Sequence, residues 1–177
     1  MKLINFIIIL YFLSFLNFLK AESRDVQLNK LFDELKINNV SISYKIEQKI
    51  WEIWSTHPNN QKLTKRLAEG SNFVRNRQLS KAINIFTKVI DQDPGWAEAW
   101  NKRATVFYMI GDYKNSQKDI DKVLKLENRH FGALAGQGLV NIKLENYEKA
   151  IESYKKAKEI YPTMQSPEIM IKQIEEL

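Results

Sequence analysis

The segment Ala97–His130, AEAWNKRATVFYMIGDYKNSQKDIDKVLKLENRH, decides the fold, because its pattern of small and large residues occurs three times at a spacing of 34 residues. Leu63–Trp96 precedes it and Phe131–Met164 follows it in the same register. Each unit has small residues at its eighth and twentieth places, a large apolar residue at its twenty-fourth and a helix-stopping residue at its thirty-second. In the middle unit these are Ala104, Ser116, Ile120 and Asn128. A fixed period of this length predicts stacked helical hairpins that bury their apolar faces against one another.

Each unit is predicted to be two antiparallel helices. In the middle unit the pattern places them at about 97–110 and 113–127, with Gly111 and Asp112 between them. Glycine adopts a positive φ without a Cβ clash, so Gly111 suits the end of the first helix. Asp112 suits the N-cap of the second. The small residues at the eighth and twentieth places mark the closest crossing of the two helices.

The three units resemble the tetratricopeptide repeat (TPR) family, whose pattern is W-x2-L-G-x2-Y, then A-x3-F, then P. The matching residues are Gly70, Phe73, Ala82, Phe86 and Pro94 in the first unit, Trp100, Ala104, Phe107, Gly111, Tyr113 and Ile120 in the second, and Gly138, Tyr147, Ala150, Tyr154, Ala157 and Pro162 in the third. The departures include Arg103 in place of Leu and Leu134 in place of Trp. The resemblance implies an all-α fold: a right-handed superhelical stack of antiparallel helix pairs over residues 63–96, 97–130 and 131–164, a TPR-like α-solenoid.

The segments that flank the units are expected to cap the stack, because terminal units must shield the core from water. Residues 22–62 carry apolar residues at helical spacing and are predicted to form a degenerate hairpin at the front. Residues 165–177 are predicted to form a short closing helix, with Ser166 as its N-cap, Pro167 as its first residue and Glu168 in its first turn.

Residues 1–21 form an export signal by composition. Met1 and Lys2 precede an apolar run from Leu3 to Leu19, and the small residue Ala21 follows. We expect this segment to be cleaved, which would release the repeats into the bacterial periplasm. Retention would anchor the chain in the inner membrane through residues 3–19, because a run of about 17 apolar residues is near the shortest that spans a bilayer.

The composition argues against catalysis. The chain has no cysteine, which excludes thiolate chemistry, disulfides and a lipid-modified cysteine. Neither His57 nor His130 has a second histidine at ligand spacing, and no phosphate-binding loop follows a strand. The sequence therefore predicts no enzyme, no cofactor and no metal. The net charge of +6 is spread over interleaved lysines and acids, which argues against a nucleic-acid partner.

The resemblance implies that the first helices of successive units line a concave face for a protein or peptide ligand. Asn101, Thr105 and Tyr108 share one helix face by their spacing. The residues expected to bind the partner are Asn101, Lys102, Thr105, Tyr108, Met109, Ala135, Leu139 and Ile142. An alternative is that Asn101 and Tyr108 only bond neighbouring helices.

Family members that clamp a C-terminal carboxylate carry cations where this chain has Gly132 and Gly136, so a clamp of that kind is not expected. A groove that is apolar in part suits an amphipathic helix or an extended segment with apolar anchors. The sequence thus predicts a non-catalytic adaptor or scaffold of the bacterial cell envelope. The alternative is a membrane-tethered structural subunit that associates with itself.

Overall fold

Nine α-helices, and no strand, make up the regular structure of the residues that this computed structural model describes, 24–37 and 39–176. The predicted export signal lies outside these residues. The helices are α1 (24–35), α2 (Val40–Ser55), α3 (Gln61–Arg75), α4 (Leu79–Gln92), α5 (Ala97–Met109), α6 (Tyr113–Leu126), α7 (Phe131–Lys143), α8 (Tyr147–Ile160) and α9 (Gln165–Glu175). In the described part of the chain, no helix combines the length and apolar character needed to cross a bilayer.

From α3 to α9, each helix packs on the next one along the chain. In addition, α3 touches α5, and α5 touches α7. The first helices of the three units therefore lie side by side and form one surface, which we call the concave face. The predicted all-α solenoid of TPR-like helix pairs is confirmed.

The periodic residues of the sequence form the contact between the two helices of each unit. Phe86, Ile120 and Tyr154, which hold the twenty-fourth place, are all buried. A Cβ atom built on Gly70 would overlap the ring of Phe86, and one built on Gly138 would overlap the ring of Tyr154. The large and small residues that recur in the sequence therefore pack against each other in the core, as the sequence predicts.

The departure from the family pattern at Arg103 has a structural reason. Its guanidinium donates to both carboxylate oxygens of Asp119, at 2.7 and 2.8 Å, and to the hydroxyl of Thr87 at 3.0 Å. Thr87 lies in the first unit, while Arg103 and Asp119 lie in the second. A bidentate pair of this kind is strong and directional, so it fixes the two units against each other.

The helix α9 closes the stack against α8, but it begins slightly earlier than predicted. Its N-cap is Met164 rather than Ser166, and Pro167 lies within its first turn. Proline is accommodated there because the first backbone N–H groups of a helix have no partner inside the helix.

The helices α1 and α2 form a hairpin whose inner face is apolar. Its buried residues are Leu28, Phe32, Leu35, Ile46, Ile50 and Trp54, and they pack in one cluster with Phe131 and Tyr161. The hydroxyl of Tyr161 also donates to the carboxylate of Glu47, at 3.1 Å. The contacts of this hairpin, which the sequence places at the front of the stack, therefore extend to the third unit.

The turn inside each unit needs one residue with a positive φ. In the second unit this is Gly111, with φ of 80°, and the next residue, Asp112, caps α6. The equivalent places in the first and third units hold Arg77 and Glu145, with φ of 56° and 59°. A residue with a Cβ is strained in this left-handed region, whereas glycine is not.

We expect Glu145→Gly to stabilise the fold by about 0.5 kcal/mol, because relief of the strain outweighs the greater freedom of glycine in the unfolded chain. The reverse change, Gly111→Ala, should destabilise it by about 1 kcal/mol. Urea unfolding followed by circular dichroism measures both. Equal stability of Gly111→Ala and the wild type would contradict the strain argument.

Candidate binding surface on the concave face

The helix α2 covers the N-terminal ends of α5 and α7. The indole of Trp54 stacks on the His130 ring, with centroids 4.0 Å apart and planes 8° from parallel. Trp51 lies against Gly132, where an added Cβ would come within 2.6 Å of the indole. The indole N–H of Trp96 donates to the carbonyl of Trp54 at 2.8 Å. The chain itself thus occupies this part of its concave face.

A buried carboxylate lies beneath the docked hairpin. Glu98 is 1% exposed, and its Oε2 accepts hydrogen bonds from His130 Nε2 at 3.1 Å and from Asn101 Nδ2 at 3.0 Å. Its Oε1 lies 2.9 Å from Lys102 Nζ. His130 Nδ1 accepts from the N–H of Ala133 and caps α7, so the ring proton is on Nε2. Glu98 is therefore the centre of a network that joins His130, Asn101 and Lys102.

Two opposing effects set the pKa of Glu98. Burial raises it, because a low-dielectric interior disfavours the charged form. The hydrogen bond from His130 and the charge of Lys102 lower it and prevail, so the pKa of the Glu98 carboxyl lies below its ordinary value of 4.5. The ionised carboxylate is therefore a stabilising part of the folded state near neutral pH.

Next to Gly132, which Trp51 of α2 contacts, the concave face is open. A small cavity of about 80 Å³ lies there between α5, α6 and α7. Four of the residues predicted to bind a partner line it: Asn101, Thr105, Tyr108 and Leu139. The other lining residues are Ala104, Ser116, Ile120, Gly132, Ala133 and Gly136. The structure thus gathers half of the predicted set around one depression.

The other four predicted residues lie elsewhere. Lys102 turns to Glu98 and lies 5.7 Å from the ring centroid of Trp51. Ala135 and Ile142 pack on the cluster formed with α8 and α9. Met109 is 48% exposed at the end of α5. Of these, Met109 is the one most available to a partner.

A second, larger cleft lies away from the concave face. It has a volume of about 810 Å³ and lies between α1, α2 and the start of α3, with Arg24, Lys49, Glu34 and Glu52 in its lining. Arg24 donates to the carbonyls of Ile53 and Thr56 and so completes the end of α2. The lining of the cleft carries both basic and acidic side chains, so the cleft has no preference for ligands of one charge sign. Within 24–37 and 39–176, no cluster of acidic and histidine side chains has the makings of a metal site.

The sequence did not identify the network of Glu98, His130 and Trp54 as a unit. The three residues meet only after the stack has formed, since 32 residues separate Glu98 from His130.

The substitution Glu98→Gln tests the network through the pH dependence of stability. The stabilisation from a carboxyl group with a lowered pKa is fully present above pH 4.5 and is lost as the pH falls through the lower pKa of the folded state. Glu98→Gln should therefore cost about 2 kcal/mol of unfolding free energy at neutral pH and less at about pH 3.

The control is Glu152→Gln, which removes an exposed carboxylate paired with Lys156 at 2.7 Å. Solvent screens that pair, so the acid sensitivity should hardly change. Urea unfolding at both pH values measures all three proteins. If Glu98→Gln lowered the unfolding free energy equally at both pH values, the Glu98 carboxylate would not be the source of the pH dependence.

Two parts of the chain, residues 67–116 and residues 131–164, match family models of the tetratricopeptide repeat. A TPR repeat-containing protein of Rhizobium etli is 33% identical over 89 residues, which are 50% of this chain and 44% of that protein. Human DnaJ homolog subfamily C member 3 is 29% identical over 104 residues, 59% of this chain and 21% of that protein. The chain thus spans less than half the length of these relatives.

Solved structures show the same fold at lower identity. The first TPR of Spaghetti (RPAP3), bound to an HSP90 peptide, has a TM-score of 0.64 at 19% identity and covers 67% of this chain and 94% of its own. MamA has a TM-score of 0.62 at 21% identity and covers 76% of this chain and 82% of its own. The helix pairs, the matched models and these neighbours together identify residues 67–116 and 131–164 of this chain as tetratricopeptide repeats.

Proposed function

We propose that this chain is a non-catalytic binding module that holds a peptide segment of a partner protein on the open part of its concave face. One observation carries the proposal: Asn101, Thr105, Tyr108 and Leu139 surround an unfilled depression between the second and third units. Concave surfaces of helical repeats are suited to extended ligands. Pockets for individual side chains give such surfaces their specificity for peptides.

Two solved structures of similar fold support a peptide as the ligand. The RPAP3 domain of similar fold was solved with an HSP90 peptide, and a TPR domain of yeast Sti1 with an Hsp70 ligand. The chemistry differs here, because Gly132 and Gly136 stand where carboxylate-clamping members have cations. The nearby cation Lys102 is engaged by Glu98, at 2.9 Å. We therefore expect recognition through apolar anchors rather than through a terminal carboxylate.

The docked hairpin limits where the ligand lies. Since α2 covers Gly132 and His130 at the N-terminal end of α7, the ligand runs past the C-terminal halves of α5 and α7. The exposed side chains there include Thr105 and Met109, while Tyr108 and Leu139 are half-buried. Half-buried aromatic side chains are frequent energetic centres of interfaces.

A pull-down from cell-envelope extract tests the binding surface. The variant Tyr108→Ala/Met109→Ala should recover at least about tenfold less of the specific partner than the wild type, because it removes an aromatic and an apolar contact. The matched control is Leu126→Ala, which trims an apolar side chain, 37% exposed, at the end of α6, away from the concave face. Equal recovery by the double variant and the control would exclude this surface.

We propose further that the module works in the bacterial cell envelope as an adaptor or scaffold, released into the periplasm. The support is the sequence of residues 1–21, a short basic start followed by an apolar run. Mass spectrometry of the N-terminus of the native protein tests this. We expect a chain that begins near Glu22 in the soluble envelope fraction. An intact Met1 in the membrane fraction would instead favour the tethered structural subunit.

A further inference from the structure

We propose that the cavity between α5, α6 and α7 is a pocket for one aliphatic side chain, of leucine size, from an acidic peptide. The backbone N–H of that peptide donates a hydrogen bond to the side-chain carbonyl of Asn101. The inference rests on the proposed function and specifies the ligand of that same surface. Four observations carry it: an unexplained glycine, the size of the cavity, an available carbonyl oxygen on Asn101 and two exposed cations at the ends of the first helices of the outer units.

The glycine is Gly136. Four glycines lie inside helices, and three of them are at close contacts: an added Cβ would overlap Phe86 at Gly70, Trp51 at Gly132 and Tyr154 at Gly138. A Cβ on Gly136 would meet only the Cδ1 of Ile120 within 4 Å, at an ordinary distance of 3.7 Å. Packing therefore does not require glycine at this position.

Glycine in the interior of a helix is nevertheless less stable than alanine. What Gly136 provides is space. Both Gly136 and Ile120 line the cavity, so a side chain at position 136 would extend into the volume that is now open. The loss of helix stability at Gly136 is explained if that volume is used by a ligand.

The size and lining of the cavity select the side chain. Its volume is about 80 Å³, and Ala104, Ile120, Ala133 and Leu139 give it apolar walls. An apolar cavity of about 150 Å³ holds a benzene molecule. The smaller volume suits the branched end of a leucine side chain better than a phenyl ring.

Asn101 supplies a directional contact beside the apolar walls. It is 8% exposed, and its Nδ2 donates to Glu98 Oε2 at 3.0 Å, which fixes the orientation of the amide. Among the residues that the structure describes, the hydrogen bonds of its side chain do not involve Oδ1. The hydroxyl of Thr105, by contrast, is used by the backbone carbonyl of Asn101, at 3.0 Å. The Oδ1 oxygen of Asn101 is therefore available to accept a hydrogen bond from a peptide N–H at the cavity.

Two exposed cations at the C-terminal ends of α3 and α7 favour an acidic ligand. Arg75 and Lys143 hold the same place in the first and third units as Met109 in the second, and both are exposed. In the described part of the chain, the ion pairs are formed by other cations. Arg75 donates instead to the neutral amide of Asn72. Carboxylates on either side of the anchor residue would complement these two charges.

The test uses the purified full chain and fluorescent peptides of the form acetyl-Gly-Asp-Xaa-Glu-Gly-amide, with Xaa as Leu, Ala or Phe. Fluorescence anisotropy should show the Leu peptide binding about tenfold or more tightly than the other two, because only its side chain both fits and fills the cavity. Equal affinities, or no binding of the Leu peptide up to its solubility limit, would overturn the pocket.

Variants separate loss of the pocket from loss of the fold. Gly136→Val, which fills the cavity, should remove the preference for Leu over Ala. Gly136→Ala should weaken Leu binding while its melting temperature stays at or above that of the wild type, since alanine favours the helix. The matched control Ala68→Val changes an exposed alanine of α3 outside the cavity and should preserve the preference. Undiminished selectivity in Gly136→Val would reject the assignment.

The same variant distinguishes failure of the pocket from failure of the proposed function. If Gly136→Val recovers the envelope partner as the wild type does while Tyr108→Ala/Met109→Ala does not, the surface stands and the pocket is wrong. If both variants recover the partner fully, the proposed binding surface itself is wrong. We expect both to lose it.

Discussion

Each unit of this protein depends on a large side chain of its second helix resting on a residue of its first helix that has almost no side chain. Phe86 rests on Gly70, and Tyr154 rests on Gly138, at distances that exclude a Cβ atom. Short separations between helices allow many dispersion contacts, which add up although each is small. They also bring α3, α5 and α7 side by side. Without that arrangement there would be no concave face and no opening between the second and third units.

The second constraint is the docking of the front hairpin on the stack. Trp54 stacks on His130, which donates to the buried carboxylate of Glu98. A buried carboxylate is tolerated only when hydrogen bonds and an opposite charge replace its water, and Lys102 completes that set. The network joins α2, α5 and α7, so it determines how much of the concave face is covered. What remains open is the region around Gly136 and Tyr108.

Much of the fold followed from the sequence because the repeat constrains each helix locally. The helices of the middle unit begin at Ala97 and Tyr113 as predicted, and each ends within one residue of its expected end. Three of the predicted binding residues, Asn101, Thr105 and Tyr108, also meet at one cavity, since i, i+4 and i+7 spacing places them on one helix face. The spacing could not reveal that Ala135 and Ile142 face α9 or that Lys102 serves Glu98. Those roles depend on neighbours that are distant in the sequence.

The sequence by itself determined the helix pairs, their order and the small residues at which they cross, because these follow from a pattern contained within 34 residues. Only the tertiary structure decided the position of the hairpin and the free volume beside Gly136. Trp51 meets Gly132 across 81 positions of the chain, and no local periodicity records such a contact. The cavity is likewise not recorded in any local pattern, because its volume depends on how α5, α6 and α7 pack together and not on the helix propensity of any one of them.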